Sequence, residues 1–327
     1  MSMSQPLNIR QSIELTPTAP FNFDASLHKP DHFPSADNAW EPGIRWQTMI
    51  WQGRSLGLKF ENLGALDQPL VNLSIWSKEG LNRDSLDRLK VEIGYRYSLQ
   101  LDLFDFYSRF EADPHLGPII DKWRGMRPLN YSSLYEYLII AVMLQNASVR
   151  RSVRMMQTLF ENYGTQLLFG EKSLYAFWEP KVIHAANEQE LRDLKVGYRA
   201  KSLKRISEAF AKDEINELVL RDKPREEQRQ VLLGLYGIGP ASVGYILSDV
   251  FHHLDELEYI SPWEQRIYSK LFFDCDPDDP VPVAELLNYF SERFGEYRML
   301  AIHYFWEDLF WRRKNEPVEW LGKLIRL

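Results

Sequence analysis

A pair of glycines between two helical stretches is the part of the chain best suited to bind an anion. Gly237 and Gly239 flank Ile238, and Pro240 follows, a residue that fits the first turn of a helix because no N–H donor is needed there. Glycine lets the backbone approach an anion without a Cβ in the way, and free N–H groups at a helix start favour negative charge. The pattern predicts helix, glycine turn and helix, with a phosphate contacting the backbone at Gly237, Gly239 and Ala241.

The second chemical group is a carboxylate, Glu264, in the downstream segment SPWEQRIYSKL. Together with LYGIGPASVGYIL (235–247), this segment resembles the helix-hairpin-helix DNA glycosylase superfamily. In that family the downstream segment begins a helix that carries a catalytic aspartate, and alignment on Ile267 puts that position at Glu264. Glutamate is longer than aspartate by one C–C bond, about 1.5 Å. The connection from the hairpin is also a few residues longer than the family pattern.

The resemblance implies removal of a damaged purine, alkylated or otherwise modified, with Glu264 as the catalytic residue. Cleavage of an N-glycosidic bond passes through an oxocarbenium-like state, and a carboxylate beside the sugar stabilises that charge and activates water. The alternative is that Glu264 only caps its helix, since acidic residues are favoured in a first turn. The chain would then be a catalytically impaired relative that lacks the usual catalytic aspartate and binds DNA lesions or particular DNA structures.

The resemblance also indicates whether the protein should cleave the DNA strand. The bifunctional branch of the superfamily uses a lysine as a Schiff-base nucleophile, two residues after the second glycine of the hairpin. Here that position is Ala241. We therefore expect a monofunctional glycosylase without lyase activity.

A polar turn between two helical stretches is the candidate for insertion into DNA. The sequence predicts an apolar helix from Leu134 to Leu144 and a second helix from Val149 to Tyr163. The run YLIIAVMLQNASVRRSV (137–153) resembles the first core helices of the superfamily, in which the residue after the glutamine fills the gap left by a flipped nucleotide. By position this residue is Asn146. The alternative is that Asn146 caps the second helix.

The segment LKVGYRAKSL (194–203) closely matches the alkyladenine and 8-oxoguanine glycosylase branch of the superfamily. LDLFDFY (101–107) and DPHLGPIIDKWRGMRP (113–128) resemble the passage between the two domains of that branch. Arg199 and Lys201 are candidates for contacts with the DNA backbone, although such a basic cluster is usually a solvated face.

Three aromatic residues are candidates for stacking on an extruded base. Tyr245 matches an aromatic position of the alkyladenine branch. Phe305 and Trp306 lie in the aromatic-rich helix predicted from Glu296 to Arg313, with which relatives close the base pocket. Stacking suits electron-poor alkylated purines. The alternative is that these side chains belong to the hydrophobic core, which is the usual place for an aromatic stripe.

The segments that precede these motifs alternate apolar and polar residues, which predicts an antiparallel sheet with one covered face. The runs are Arg45–Trp51, Ser55–Phe60 and Val71–Trp76, and we also predict a strand over Phe21–Asp24. The expected fold class is α+β. An N-terminal antiparallel β-sheet domain (residues 1–120) would be followed by an all-α helix-hairpin-helix glycosylase domain (residues 121–327).

Composition limits the classes of partner. The formal net charge is −7, so binding to DNA needs a local basic surface. The chain contains no run of about 18 apolar residues and no apolar signal core at its N-terminus. We expect a monomer in the cytoplasm or nucleoid, or in the nucleus of a eukaryote, that binds double-stranded DNA containing a damaged base and no membrane.

Cofactor expectations follow from one cysteine and from the resemblance. A single cysteine, Cys275, excludes an internal disulfide and a four-cysteine iron–sulfur cluster. We expect no required cofactor. The family often binds a monovalent cation through hairpin carbonyls, which by position are those of Leu233, Leu235 and Ile238.

Overall fold

The computed structural model describes residues 4–28, 35–128, 130–316 and 318–324. The chain forms two compact units, each made of two stretches. Unit 1 comprises Met1–Asp102 and Gly125–Leu220, and unit 2 comprises Leu103–Arg124 and Arg221–Leu327. This division is discontinuous in sequence, whereas the predicted domains meet near residue 120; the domain prediction stays a prediction.

The described strands and helices are numbered in chain order. The described strands are β1 (Ser4–Pro6), β2 (Ile9–Leu15), β3 (Asn38–Glu41), β4 (Ile44–Trp51), β5 (Arg54–Asn62), β6 (Val71–Ser77), β7 (Thr165–Phe169) and β8 (Lys172–Ala176). The described α-helices are α1 (Phe23–Leu27), α2 (Arg83–Arg96), α3 (Phe104–Phe110), α4 (Gly117–Lys122), α5 (Leu134–Leu144), α6 (Val149–Tyr163), α7 (Pro180–Ala185), α8 (Glu188–Leu191), α9 (Arg199–Ala211), α10 (Glu217–Arg221), α11 (Arg225–Leu233), α12 (Pro240–Asp249), α13 (Pro262–Phe273), α14 (Val283–Phe294), α15 (Arg298–Asn315) and α16 (Glu319–Leu324).

The main sheet of unit 1 is antiparallel, with strand order β2-β6-β5-β4-β3. Its alternation sends Leu56, Leu58 and Phe60 into a core shared with α2. Gly57, between them, lies under the ring of Phe169 in the second sheet, where a Cβ would fall 2.3 Å from that ring. The second sheet has the order β1-β7-β8. The three predicted period-two runs are therefore strands, and the α+β fold with an N-terminal antiparallel sheet is confirmed.

The predicted strand over Phe21–Asp24 is wrong. Residues Phe23–Leu27 form the short helix α1, because the side chain of Asn22 accepts a hydrogen bond from the N–H of Ala25 and starts a helical turn. Phe21 and Phe23 are both buried and lie two residues apart, and in so short a segment this spacing fits either a strand or a helix. The local cap decides between them.

The helices predicted at Leu134–Leu144 and Val149–Tyr163 are present with those bounds as α5 and α6. Helix α5 begins with a capping box, in which Ser133 and Glu136 exchange side-chain and backbone hydrogen bonds. Its nearly continuous apolar character is explained by burial among other helices of unit 1.

Unit 2 is helical and has an aromatic core. Buried rings from α3, α13, α14 and α15 pack against one another. The contacts of Phe290 with Tyr268 and of Phe305 with Phe294 are edge to face, and that of Phe106 with Tyr304 is tilted. The guanidinium of Arg293 binds both carboxylate oxygens of Asp113, with N–O distances of 2.8 Å. This ion pair joins the DPHLGP segment to α14. No described helix is both long and apolar enough to cross a membrane.

Candidate active site

The glycine hairpin lies in unit 2, between α11 and α12. Gly237 has φ +87°, which favours glycine, and the N–H of Ile238 donates to the carbonyl of Leu235 at 3.1 Å. Gly239 is the N-cap of α12 and Pro240 opens that helix. Because the cap residue has no side chain to accept from the first-turn N–H groups, this helix start can accept an external anion.

Glu264 lies in the first turn of α13, and its side chain is 6% exposed. It forms a capping box with Ser261: the N–H of Ser261 donates to Oε2 of Glu264 at 2.9 Å, and the N–H of Glu264 donates to the hydroxyl of Ser261 at 3.3 Å. The hydroxyl of Tyr245, from α12, donates to Oε1. The hairpin's second helix therefore contacts the carboxylate directly, and both carboxylate oxygens are hydrogen-bonded.

Two tyrosines beside the carboxylate remain protonated over a wide pH range. Burial of the phenolic oxygen is the main cause that raises the pKa of Tyr245 and of Tyr268 well above the usual value of 10, and the negative charge of Glu264 is the second, although part of the Tyr245 ring is exposed. The hydroxyl of Tyr268 accepts a hydrogen bond from Nε1 of Trp306 at 2.8 Å. The surroundings of Glu264 are thus aromatic, with neutral hydroxyl groups.

The three candidate stacking residues differ in accessibility. Tyr245 is 37% exposed, whereas Phe305 is 1% exposed and its ring packs edge-on against Phe272, with centroids 4.9 Å apart. Trp306 is buried beneath Trp263, with centroids 4.9 Å apart and planes 16° apart. The placement of Phe305 is that of a core residue, which is the alternative stated for it.

Trp263 is an aromatic residue near the carboxylate that the sequence reasoning missed. It directly precedes Glu264 in α13, is 42% exposed, and its Nε1 donates to the carbonyl of Leu324 at 2.7 Å. Its position next to the candidate carboxylate was the only sequence signal that would have singled it out.

Asn146 lies in the turn between α5 and α6 of unit 1. It is exposed and has φ +48°, and its Nδ2 donates to the hydroxyl of Tyr198 at 3.3 Å. The N-cap of α6 is Ser148, whose hydroxyl accepts from the N–H of Arg151. The alternative that Asn146 caps α6 is therefore wrong, and its insertion role stays a prediction.

Arg199 is buried, with 1% exposure, and its guanidinium faces the C-terminal end of α5. Nε donates to the carbonyl of Val142 at 3.1 Å, and Nη2 donates to the carbonyl of Gln145. The guanidinium is not accessible to a DNA phosphate, because burial and these bonds hold it inside unit 1. Lys201, on the same helix α9, is exposed.

The hairpin carbonyls suggested for a cation are those of Leu233, Leu235 and Ile238. The carbonyl of Leu235 already accepts from the N–H of Ile238 and keeps a second lone pair. Backbone oxygens are suitable ligands for a hard cation. Among the described residues, no group of three or more His, Cys, Asp or Glu side chains is arranged to hold a metal ion.

Comparisons with known proteins show which family the chain belongs to. The chain is 24% identical over 152 residues to the DNA-3-methyladenine glycosylase of Bacillus subtilis (strain 168), a match that covers 46% of this chain and 50% of that protein. It therefore spans about half the length of this relative.

Two solved structures share the fold. The 3-methyladenine DNA-glycosylase from Archaeoglobus fulgidus has a TM-score of 0.74 and 16% identity, over 91% of this chain and 99% of that chain. The 8-oxoguanine glycosylase/lyase of Clostridium acetobutylicum, in complex with double-stranded DNA, has a TM-score of 0.66 and 18% identity, over 94% and 99% of the two chains. The family model for HhH-GPD superfamily base excision DNA repair proteins matches residues 139–312, more than half of the chain. The protein therefore belongs to the HhH-GPD superfamily.

Proposed function

We propose that the protein is a monofunctional DNA glycosylase that removes a damaged purine by hydrolysis of its N-glycosidic bond. The observation that carries the proposal is Glu264, a nearly buried carboxylate at the start of α13 whose Oε1 is bonded to the second helix of the hairpin. Membership of a base excision repair superfamily supports the reaction class.

The proposed mechanism needs one negative charge beside the sugar. As the bond to the base breaks, positive charge develops at the anomeric carbon, and the fixed carboxylate of Glu264 stabilises it without having to reorganise. The same carboxylate then accepts a proton from the attacking water. A damaged base that leaves readily needs no second catalytic acid, which suits an alkylated purine.

The absence of lyase activity is proposed from the residue that replaces the usual nucleophile. Ala241 has no amine with which to form a Schiff base. Lys270, at the other end of α13, is engaged by the carboxylate of Asp274. We therefore propose that the abasic product leaves the protein with its strand intact.

Recognition is proposed to use backbone, aromatic and polar groups. The hairpin N–H groups at Gly237, Gly239 and Ala241 would contact a DNA phosphate, which fixes the register of the duplex without reading its sequence. Tyr245 would stack on the extruded base. In unit 1, the exposed Asn146 would fill the gap in the duplex.

A monovalent cation on the carbonyls of Leu233, Leu235 and Ile238 belongs to the same proposal. Such a cation would supply positive charge at the hairpin and hold its backbone in shape. A thermal unfolding midpoint that rises in potassium chloride, relative to tetramethylammonium chloride at equal ionic strength, would support the site.

A second function is favoured by a specific observation. Both oxygens of Glu264 are already hydrogen-bonded, one of them in an ordinary capping box. This arrangement also suits a protein that has kept the fold, binds lesions or abasic sites, and cleaves nothing.

A single-turnover cleavage assay separates these two functions. Duplexes carrying an alkylated purine, 8-oxoguanine, hypoxanthine or uracil are incubated with wild type and with Glu264→Gln, and each product is analysed with and without alkali. We expect release of a damaged purine by wild type, strand breakage only after alkali, and loss of release in the variant. Binding to abasic-site DNA without any cleavage would establish the second function, and full activity of Glu264→Gln would overturn the role of Glu264.

A further inference from the structure

The two carboxylate oxygens of Glu264 accept hydrogen bonds from different parts of the chain. Oε2 accepts from the N–H of Ser261, as any capping box requires. Oε1 accepts from the hydroxyl of Tyr245, which comes from α12 and is 19 residues away in sequence. The start of α13 is complete without this second bond. The Tyr245 contact therefore needs an explanation other than helix capping.

We propose that the Tyr245 hydroxyl is a positioning residue that fixes the Glu264 carboxylate for catalysis. This proposal rests on the proposed glycosylase function. A glutamate has one more side-chain torsion than an aspartate, so its carboxylate has more freedom to leave the geometry that the reaction needs. Anchors on both oxygens, from Ser261 and Tyr245, remove that freedom.

The surroundings keep the tyrosine a hydrogen-bond donor. Burial and the neighbouring carboxylate raise the pKa of Tyr245 well above 10, so it stays protonated at neutral pH. Among the described residues, Asp249 on α12 and Tyr268 on α13 are further titratable groups near this pair. Helices α14 and α15 meet Tyr268 through the aromatic rings of Phe290 and Trp306.

The same side chain is a candidate for stacking on the base, and one substitution separates these two roles. Tyr245→Phe keeps the ring and removes only the hydroxyl. Tyr304→Phe is the control, because it also removes a hydrogen-bonded tyrosine hydroxyl of unit 2, the one that lies 2.8 Å from the hydroxyl of Tyr107.

We would measure single-turnover base release and binding to abasic-site DNA for the three proteins. For Tyr245→Phe we expect the rate constant to fall about tenfold, as for loss of a hydrogen bond to a charged group. Its affinity for abasic-site DNA should stay within about twofold of wild type, because the hydroxyl acts on the reaction and not on binding. Tyr304→Phe should keep the wild-type rate and affinity.

A second measurement does not depend on catalysis. In protein labelled with ¹³C at glutamate Cδ, the Glu264 signal is identified by its loss in Glu264→Gln. Its chemical shift at neutral pH should change in Tyr245→Phe, because Oε1 loses a hydrogen bond, and should stay at the wild-type position in Tyr304→Phe. An unchanged chemical shift together with an unchanged rate would overturn the positioning role. That result leaves the glycosylase proposal intact, since the proposal fails only if wild type cleaves nothing or Glu264→Gln stays active.

Discussion

Two parts of the protein are proposed to act on DNA, and they hold their key side chains in opposite ways. Glu264, in unit 2, is nearly buried, and its own oxygens take the hydrogen bonds that fix it. Asn146, in unit 1, is exposed and makes one hydrogen bond of 3.3 Å, to Tyr198. The turn that carries Asn146 is held instead by the buried Arg199, whose Nη2 donates to the carbonyl of the preceding residue, Gln145.

This contrast follows from the tasks proposed for the two residues. A carboxylate that stabilises developing charge is most effective when it is already oriented, because reorganisation during the reaction costs rate. A side chain that enters a duplex must be able to leave the protein surface. The backbone that carries such a residue is therefore held in place, while the polar end of the side chain makes few hydrogen bonds.

The largest effect should come from removing the charge of Glu264. Glu264→Gln should lower the rate of base release by at least about 10²-fold, as for loss of a catalytic general base. Glutamine also supports a capping box, so the fold should be retained. Single-turnover kinetics and thermal unfolding measure these two effects separately.

The matched control is Glu136→Gln, which makes the same change in the capping box of α5. If the cap alone explains Glu264, the two variants should behave alike, with small losses of stability and no loss of activity. A loss confined to Glu264→Gln would show that the two capping boxes differ in function.

The next largest effect should come from removing Arg199, which supports the turn that carries Asn146. Arg199→Met should lower the free energy of unfolding by roughly 2–3 kcal/mol, because the carbonyls of Val142 and Gln145 lose their charged donor inside the protein. Arg199→Lys should recover only part of that stability, since lysine lacks the planar fork of the guanidinium. Denaturant titration measures both.

Lys201→Met is the companion variant, because Lys201 lies on the same helix but is exposed. It should leave stability nearly unchanged and lower the salt dependence of DNA binding by about one phosphate contact. An Arg199→Met protein that is as stable as wild type would contradict the supporting role assigned to the buried guanidinium.

Sequence patterns predict the regular helices and strands better than the short segments whose structure depends on a cap. Regular periodicity predicts α5, α6 and the strands β4 to β6, since burial on one face leaves a repeating pattern. The pattern does not predict helix α2, and it predicts a strand in place of the short α1, whose helical start depends on a side-chain cap.

The sequence pattern does not predict the direction of several side chains. Arg199 and Lys201 lie in one basic cluster, and nothing in the sequence shows that the arginine points inward and the lysine outward. Trp263 carries no motif of its own. The bond from Tyr245 to Glu264 depends on how α12 and α13 pack, a long-range property.

The smallest effect should come from Asn146 itself. Its φ of +48° is one that glycine adopts freely, so Asn146→Gly should leave the free energy of unfolding within about 0.5 kcal/mol of wild type. The side chain that fills the duplex would be lost, and affinity for abasic-site DNA should fall several-fold while affinity for undamaged duplex stays the same. Fluorescence anisotropy at fixed salt measures both affinities. Equal losses on both duplexes would assign Asn146 to general backbone binding, and no loss on either would remove it from the DNA-binding surface. In either case the contrast with Glu264 would reduce to a difference in burial alone.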